Sequence, residues 1–213
     1  MSVYMLAKVN DDIHSIAGIA RICVTPFNKS FYKECYKDRE HDIKTVTNLY
    51  KRGHWSVFEH VHYTYIVECS RACSLQLARH RHISRTEMSQ RYTRFDDYRE
   101  KYFEFPPMFE SQHEEMQLCF EKAIAGYRRL LASGVPPEDA RFVLPEGIKT
   151  RMIITLNLRT LLELTQKRAN NTGAQWEIRA LIRDMWVDVD SDLKNIFKDE
   201  LLWINDVRSN PVD

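Results

Sequence analysis

Residues 79–92 carry an unusual density of groups that bind anions. Planar guanidinium groups, each able to hold two phosphate oxygens at once, come from Arg79, Arg81, Arg85 and Arg91. Ser84 and Ser89 add small hydroxyl donors. This arginine-rich segment (residues 79–92) indicates a site for a phosphorylated ligand, while a solvated basic loop is the commoner explanation of such a run of charges.

The overall charge argues against a protein dedicated to nucleic acids. Lys and Arg number 31 against 30 Asp and Glu, which leaves a net charge of +1. Nucleic-acid binding depends largely on a broad positive surface, so the basic residues here are a local concentration. We therefore expect no nucleic-acid partner.

Length and composition predict a single globular domain over residues 1–213, because a hydrophobic content of 44% supports one core. The five cysteines are odd in number and lack the spacing of a disulfide framework or a zinc ribbon. The sequence has neither a signal-peptide pattern nor an apolar run that could cross a bilayer. We expect a cytoplasmic protein without a membrane partner.

Hydrophobic periodicity predicts the elements that position the arginine-rich segment. Before it we expect, in order, a strand at 3–9, a helix at 14–24, a helix from Asp42 to Gly53, a turn at 54–60 and a central strand at 60–69. A short helix at 72–79 should bring its cationic C-terminal end into the segment. Within the segment, Ser84 and Glu87 have capping-box spacing, which predicts a new helical turn whose free N–H groups face an anion.

The second half of the chain shows a similar mixture of elements. The predicted order is an irregular crossover at 95–108, a long helix at 109–133, a short helix from Pro136-Pro137, a strand at 148–157, a helix capped by Asn157 and an amphipathic helix at 174–193. Asn157, Arg159 and Arg168 bracket the second-last helix. A solvated polar face explains these residues taken singly.

Common catalytic and phosphate-binding motifs are absent. The sequence contains no G-x-S-x-G, no P-loop and no G-x-G-x-x-G, and its six glycines leave little for a glycine-rich cradle. Phosphates must therefore be held by side chains. Cys69 and Cys73 have no obvious base beside them, which favours buried small hydrophobes over nucleophiles.

Histidine pairs leave a second chemistry open. His60-x-His62 and His80-x-His82 are spaced so that a strand would place each pair on one face. Together with His54 or Glu59 they could supply zinc ligands. A zinc-dependent hydrolase is therefore the main alternative to a phosphate-binding enzyme.

The motifs resemble those of the flavin-dependent thymidylate synthases. Arg79-His80-Arg81 is followed by seven residues and Ser89, and then by Arg91-Tyr92, as in the family signature. Further resemblances follow in order along residues 14–193: Gly53-His54 with Phe58-Glu59-His60, Arg141 with Leu144-Pro145, Asn157-x-Arg159, and Arg168 with Ala174-Gln175-Trp176-Glu177. Gln90 stands where relatives frequently have glycine.

The resemblance implies a methyltransferase that converts dUMP to dTMP by reductive methylation. In this reaction, 5,10-methylenetetrahydrofolate would donate the carbon and NADPH would donate the electrons. Bound FAD would carry the hydride. A cofactor that performs the difficult chemistry agrees with the lack of a plausible protein nucleophile. The implied fold is α+β, a curved, largely antiparallel sheet flanked by helices, in a homotetramer whose sites are shared between subunits.

The resemblance also implies roles for individual residues. FAD would be contacted by His54, Ser56, Glu59, Arg79, His80, Arg81, Glu87, Asn157, Arg159 and Glu163. The nucleotide dUMP would be held by Gln76, Arg79, Glu87, Ser89, Gln90, Arg91, Arg141 and Arg168. Arg168 would be the catalytic residue, stabilising negative charge on the pyrimidine. No metal ligand is expected in this interpretation.

Overall fold

One antiparallel sheet forms the centre of the fold. The computed structural model describes residues 1–30, 38–95, 100–107 and 110–202. Its strands are β1 (Ser2–Val9), β2 (His62–Ser70), β3 (Ser84–Glu87) and β4 (Lys149–Asn157). Their order is β1-β2-β4-β3, and each neighbouring pair is antiparallel. β2 therefore lies inside the sheet, as the bulk on both its faces predicted.

Helices flank this sheet. In chain order they are α1 (Ile13–Arg21), α2 (Arg39–Lys51), α3 (Arg71–Ala78), α4 (Glu110–Ala132), α5 (Pro137–Ala140), α6 (Leu158–Leu164), α7 (Trp176–Met185) and α8 (Ser191–Ile196). The expected α+β class with an antiparallel sheet is confirmed. Each helix within the described ranges is too short or too polar to span a bilayer.

The two inner strands bury one face and leave the other more open. Tyr63, Tyr65 and Val67 of β2 lie beside Met152 and Ile154 of β4 in the main core. Strict alternation in these strands explains why the sequence predicted them well, because every second side chain faces the same side of a sheet. A second hydrophobic cluster joins α4 to the start of β4 and includes Phe103, Phe120, Tyr127 and Ile148.

The predicted helical turn at Ser84 is wrong, because these residues form β3. Ser84 pairs with Thr155 and Glu87 pairs with Met152 along the free edge of β4. Ladder hydrogen bonds to a neighbouring strand outweigh a short local capping signal, which stabilises only one turn.

Two further boundaries differ from the prediction. The helix expected at 174–193 is divided into α7 and α8, because the Asp190 side chain accepts hydrogen bonds from the Asp192 and Leu193 N–H groups and starts a new helix. The strand expected from His60 begins at His62, since Trp55–His60 forms a 3₁₀ helix. The first residue of the predicted helix at 109–133 and parts of the predicted crossover at 95–108 lie outside the described residues.

Candidate functional site

β3 divides the arginine-rich segment into two parts that lie towards opposite ends of β4. Ser84 pairs with Thr155, near the end of β4 at Asn157, whereas the Met88 N–H donates to the Arg151 carbonyl at 2.8 Å. Three steps along the strand from Ser84 to Glu87 cover about 10 Å. Residues 79–82 are therefore kept near the Asn157 end, and residues 88–91 near the Arg151 end.

Four predicted site residues meet at the Asn157 end. Arg159 Nη1 donates to Glu59 Oε1 at 2.5 Å, and Arg159 Nε lies 3.5 Å from Glu163 Oε1. Asn157 Oδ1 accepts from the Thr160 N–H at 2.9 Å and so begins α6. Together with His82, these residues line a cavity of about 240 Å³. His82 had been predicted only as a possible zinc ligand, and Thr160 had not been predicted to lie in a site.

Arg168 lies in an unusual stretch of backbone. α6 continues into a π-helical turn, Thr165–Ala169, in which the Asn170 N–H donates to the Thr165 carbonyl at 2.9 Å. Single π-helical turns inside helices occur frequently at functional sites. Thr165 is fully buried and accepts a hydrogen bond from Trp186 Nε1 at 2.8 Å, which fixes the turn in the core.

His80 and Arg168 contact each other directly. Arg168 Nε donates to His80 Nε2 at 3.2 Å, so this ring nitrogen acts as an acceptor. Partial burial lowers the pKa of His80 below its ordinary value of 6.5, and the positive charges of Arg168 and Lys167 lower it further. The imidazole is therefore neutral at pH 7 and links residues 79–82 to the π-helical turn.

Four more of the residues predicted for the cofactor are exposed on the surface, and a fifth, Glu87, lies at the other end of β3. Arg79 follows α3 as its C-terminal cap, Arg81 follows His80, and both side chains are exposed. His54 and Ser56 are exposed at the start of the 3₁₀ helix that ends beside β2. None of these four lines the 240 Å³ cavity.

Two arginines predicted to bind the nucleotide meet at the other end of β3. Arg91 Nε donates to Glu138 Oε2 at 2.7 Å, and Arg141 Nε donates to the Glu138 carbonyl at 2.9 Å. The Arg91 N–H donates to Ser89 Oγ at 3.3 Å. Glu138 was not predicted; its carboxylate pairs with Arg91 as a phosphate group could, while its backbone carbonyl holds Arg141.

Glu87 and Gln90, which were also predicted to bind dUMP, lie at the same end of β3, whereas Gln76 lies on α3. Gln90 is 6% exposed, and its Nε2 has no hydrogen-bond partner among the described residues. Glu87 accepts from Ser74 Oγ at 2.8 Å and lies 3.5 Å from Arg85 Nη1. Gln76 Nε2 donates to Gln175 Oε1 at 3.3 Å, which ties α3 to α7. A buried amide without a partner is costly and is typical of a site that a ligand completes.

A larger depression, of about 410 Å³, lies beside Met88 on the more open side of the sheet. Its walls carry the cations Arg94 and Lys101 with the aromatic rings of Phe95 and Tyr102. None of the residues that line this depression had been predicted to bind a ligand. Periodicity places residues on strand faces but does not reveal which surface segments meet.

The histidines do not assemble into a zinc site. His60, His62 and His82 are exposed, and His60 lies in the 3₁₀ helix rather than on the strand with His62. Among the described residues, the one set of three potential metal ligands within 4.8 Å of each other is Cys69, Cys73 and Glu177, which includes no histidine. The zinc-hydrolase alternative is therefore not supported.

Comparisons with known proteins identify the family. Residues 5–192 match the family model described as thymidylate synthase complementing protein. The flavin-dependent thymidylate synthase of Saccharolobus solfataricus is 36% identical over 202 residues, covering 93% of this chain and 76% of the relative. That of Sulfolobus acidocaldarius is 38% identical over 221 residues, covering 100% and 83%. The chain belongs to the flavin-dependent thymidylate synthases, a family of enzymes.

Solved structures agree with the fold. Thymidylate synthase X from Helicobacter pylori, solved with FAD and dUMP, has a TM-score of 0.76 and 22% identity, covering 94% of this chain and 99% of that one. A second structure of the same enzyme, also complexed with FAD and dUMP, has a TM-score of 0.74. The arrangement of strands and helices described above is therefore one that solved structures share.

The contact between His80 and Arg168 predicts a pH dependence of stability. Because the pKa of His80 is lower in the folded chain than in the unfolded chain, the unfolded state binds protons more readily. The stabilising contribution is fully present above a pH of about 6.5 and is lost as the pH falls through the folded-state pKa. Urea unfolding should therefore show a free energy of unfolding that decreases in this range.

The variant His80→Gln keeps an acceptor for Arg168 but does not titrate. Its free energy of unfolding should fall less steeply with decreasing pH than that of the wild type. His62→Gln, at an exposed position on β2, is the control and should retain the wild-type slope. Equal slopes for wild type and His80→Gln would contradict the assignment.

Proposed function

We propose that the chain catalyses the reductive methylation of dUMP to dTMP. In this proposal, 5,10-methylenetetrahydrofolate is the carbon donor, NADPH is the reductant, and FAD is the resident cofactor. The relatives carry the name flavin-dependent thymidylate synthase, and the solved neighbours hold FAD and dUMP. The observation that carries the proposal is the β3–β4 pairing, which holds two groups of anion-binding residues at opposite ends of one short strand.

The residues at the Asn157 end fit a large phosphorylated cofactor. Arg79 and Arg81 present exposed guanidinium groups for a diphosphate, and the cavity beside Asn157 and Arg159 offers polar walls. The cofactor would supply hydride transfer when bound. His54, Ser56, Glu59, His80 and Glu163 would hold and orient it, with the neutral imidazole of His80 keeping Arg168 in place.

The residues at the Arg151 end fit a nucleotide monophosphate. Arg91 and Arg141 would exchange their contacts with Glu138 for contacts with the phosphate, and the Ser89 hydroxyl with the Gln90 N–H would donate to it. Gln76 and Glu87 would contact the nucleoside. This part of the site would bind the nucleotide and orient it. In an enzyme whose cofactor carries out the chemistry, binding and orientation are the main contributions of the protein to catalysis.

Arg168 would stabilise the negative charge that develops on the pyrimidine ring. An arginine remains protonated at every relevant pH, so it can act electrostatically without transferring a proton. In this chain, however, Arg168 contacts His80 at the Asn157 end of β4, whereas Arg91 lies near Arg151. Asn157 and Arg151 are six residues apart, which corresponds to about 20 Å along the strand.

This separation supports active sites that are shared between subunits. We infer a homotetramer in which Arg168 of one chain completes a site begun by the arginine-rich segment of another, since symmetric assembly is common among enzymes. Each chain would act as one domain over residues 1–213. A cytoplasmic location would suit the free cysteines, which require a reducing compartment.

Bound flavin is the first test of the proposal. Purified protein should be yellow. In this proposal the cofactor is held without a covalent bond, so denaturation should release it as fluorescent flavin, at about one molecule per chain. The measurement is the absorbance spectrum followed by identification of the released compound as FAD. Colourless protein that cannot be reconstituted with FAD would exclude the function.

Arg168→Ala should retain FAD and lose most dTMP formation. Removal of a preorganised charge partner typically costs about 3 kcal/mol of transition-state stabilisation, or roughly a hundredfold in rate. Lys167→Ala is the matched control, because Lys167 is the exposed neighbour that pairs with Glu163 at 3.3 Å. Unchanged turnover in Arg168→Ala would refute its assignment.

Arg91→Ala should mainly weaken the binding of dUMP. Loss of a charge-assisted hydrogen-bonding pair costs about 1.5 to 3 kcal/mol, which raises Kd more than tenfold. Calorimetric titration of dUMP into the variant measures this effect, and Arg52→Ala, at the exposed end of α2, is the control. An unaltered Kd in Arg91→Ala, with FAD content also unaltered, would place the nucleotide phosphate elsewhere.

A further inference from the structure

A buried cluster of two thiols and a carboxylate lies where three elements meet. Cys69 comes from the end of β2, Cys73 from α3 and Glu177 from the first turn of α7. All three are buried, with exposures of 0%, 0% and 1%. The two sulfur atoms and a carboxylate oxygen lie within 4.8 Å of one another. The proposed reaction uses none of these groups.

Hydrogen bonds already fix the orientation of Glu177. The Ser70 N–H donates to Oε1 at 2.6 Å, and the Ser70 hydroxyl donates to Oε2 at 2.5 Å. The Cys73 N–H donates in turn to Ser70 Oγ at 3.1 Å. Metal-binding carboxylates are characteristically held by such outer hydrogen bonds, which leave further lone pairs free for coordination.

A second buried polar group lies beside the thiols. Thr150 is opposite Cys69 in the β2–β4 ladder, so the two side chains share one face of the sheet. Thr150 is 2% exposed, and its hydroxyl has no hydrogen-bond partner among the residues that the structure describes. Thr150 also lines the 410 Å³ depression, and a water or ion held by the neighbouring thiols would give its hydroxyl a partner.

We propose that Cys69, Cys73 and Glu177 form a structural binding site for a thiophilic divalent cation of the Zn²⁺ type. Two thiolates select such ions over Mg²⁺ and Ca²⁺, which prefer oxygen ligands. Tetrahedral bonds of about 2.0 to 2.3 Å require ligand atoms roughly 3.5 to 4 Å apart, so ligand atoms that now lie within 4.8 Å of one another must approach by at most about 1 Å. A water in the fourth position would satisfy Thr150.

Binding of the ion releases two protons. Each cysteine loses its thiol proton to solvent as the metal–sulfur bond forms, and no electrons are transferred. The ion would then hold β2, α3 and α7 together. Because Arg79 is the C-cap of α3, and Gln175, which contacts Gln76, is the N-cap of α7, the site would brace the scaffold of the arginine-rich segment. It does not depend on the proposed function.

Zinc content tests this inference directly. The purified full chain is mixed with one equivalent of zinc chloride, passed through a gel-filtration column and analysed by mass spectrometry for metal. We expect about one zinc ion per wild-type chain, and at least a tenfold loss in Cys69→Ser and in Cys73→Ser. Cys23→Ser and Cys119→Ser, which alter exposed thiols, are the controls and should retain the ion.

If the Cys69→Ser and Cys73→Ser variants fail to fold, X-ray absorption at the zinc edge still tests the proposal, because it needs only the wild-type protein. The expected spectrum has two sulfur neighbours at about 2.3 Å together with oxygen neighbours. Wild-type protein without zinc, zinc surrounded by nitrogen and oxygen alone, or full retention in a folded Cys69→Ser variant would overturn the proposal. Flavin content is measured separately, so failure here is distinguishable from failure of the proposed function.

Discussion

The pairing of β3 with β4 is the constraint on which the candidate site depends. Four residues, Ser84 to Glu87, form the edge of the sheet, and the Met88 N–H extends the ladder by one more bond. Without this register the two arginine-rich ends would be free to take many relative positions, at a large entropic cost on binding. β3 therefore acts as a spacer that presets the separation between the two groups of predicted ligand-binding residues.

Carboxylates hold two of the predicted site arginines, Arg159 and Arg91, before any ligand binds. Glu59 accepts from Arg159, with Glu163 at 3.5 Å, and Glu138 accepts from Arg91, while Glu87 lies beside Arg85. These pairs are partly or largely exposed, and ion pairs in contact with water are weak. Exchange of such a carboxylate for a phosphate therefore costs little, while the side chains are already restricted to useful positions. Because each of these carboxylates offsets the charge of a neighbouring arginine, a chain with a net charge of +1 can still hold several arginines in one segment.

Local sequence patterns predicted those parts of the fold that depend on local physics. Alternation identified β2 and β4, and the cap formed by Asn157 was confirmed because its side chain needs only the N–H of Thr160. The family motifs also predicted that Glu59, Asn157, Arg159 and Glu163 would come together. What the sequence did not reveal were contacts between distant residues. Glu138 meets Arg91 across 47 positions, and β3 exists only because β4 offers a free edge.

Reoxidation of reduced bound flavin tests the central claim most directly. Protein carrying reduced FAD is mixed without oxygen with dUMP and 5,10-methylenetetrahydrofolate, and the flavin absorbance and dTMP are followed together. The account predicts that the flavin becomes oxidised with the formation of about one dTMP per flavin, and that omission of dUMP or of the folate prevents dTMP formation. Flavin that stays reduced, or is oxidised without dTMP, would contradict it.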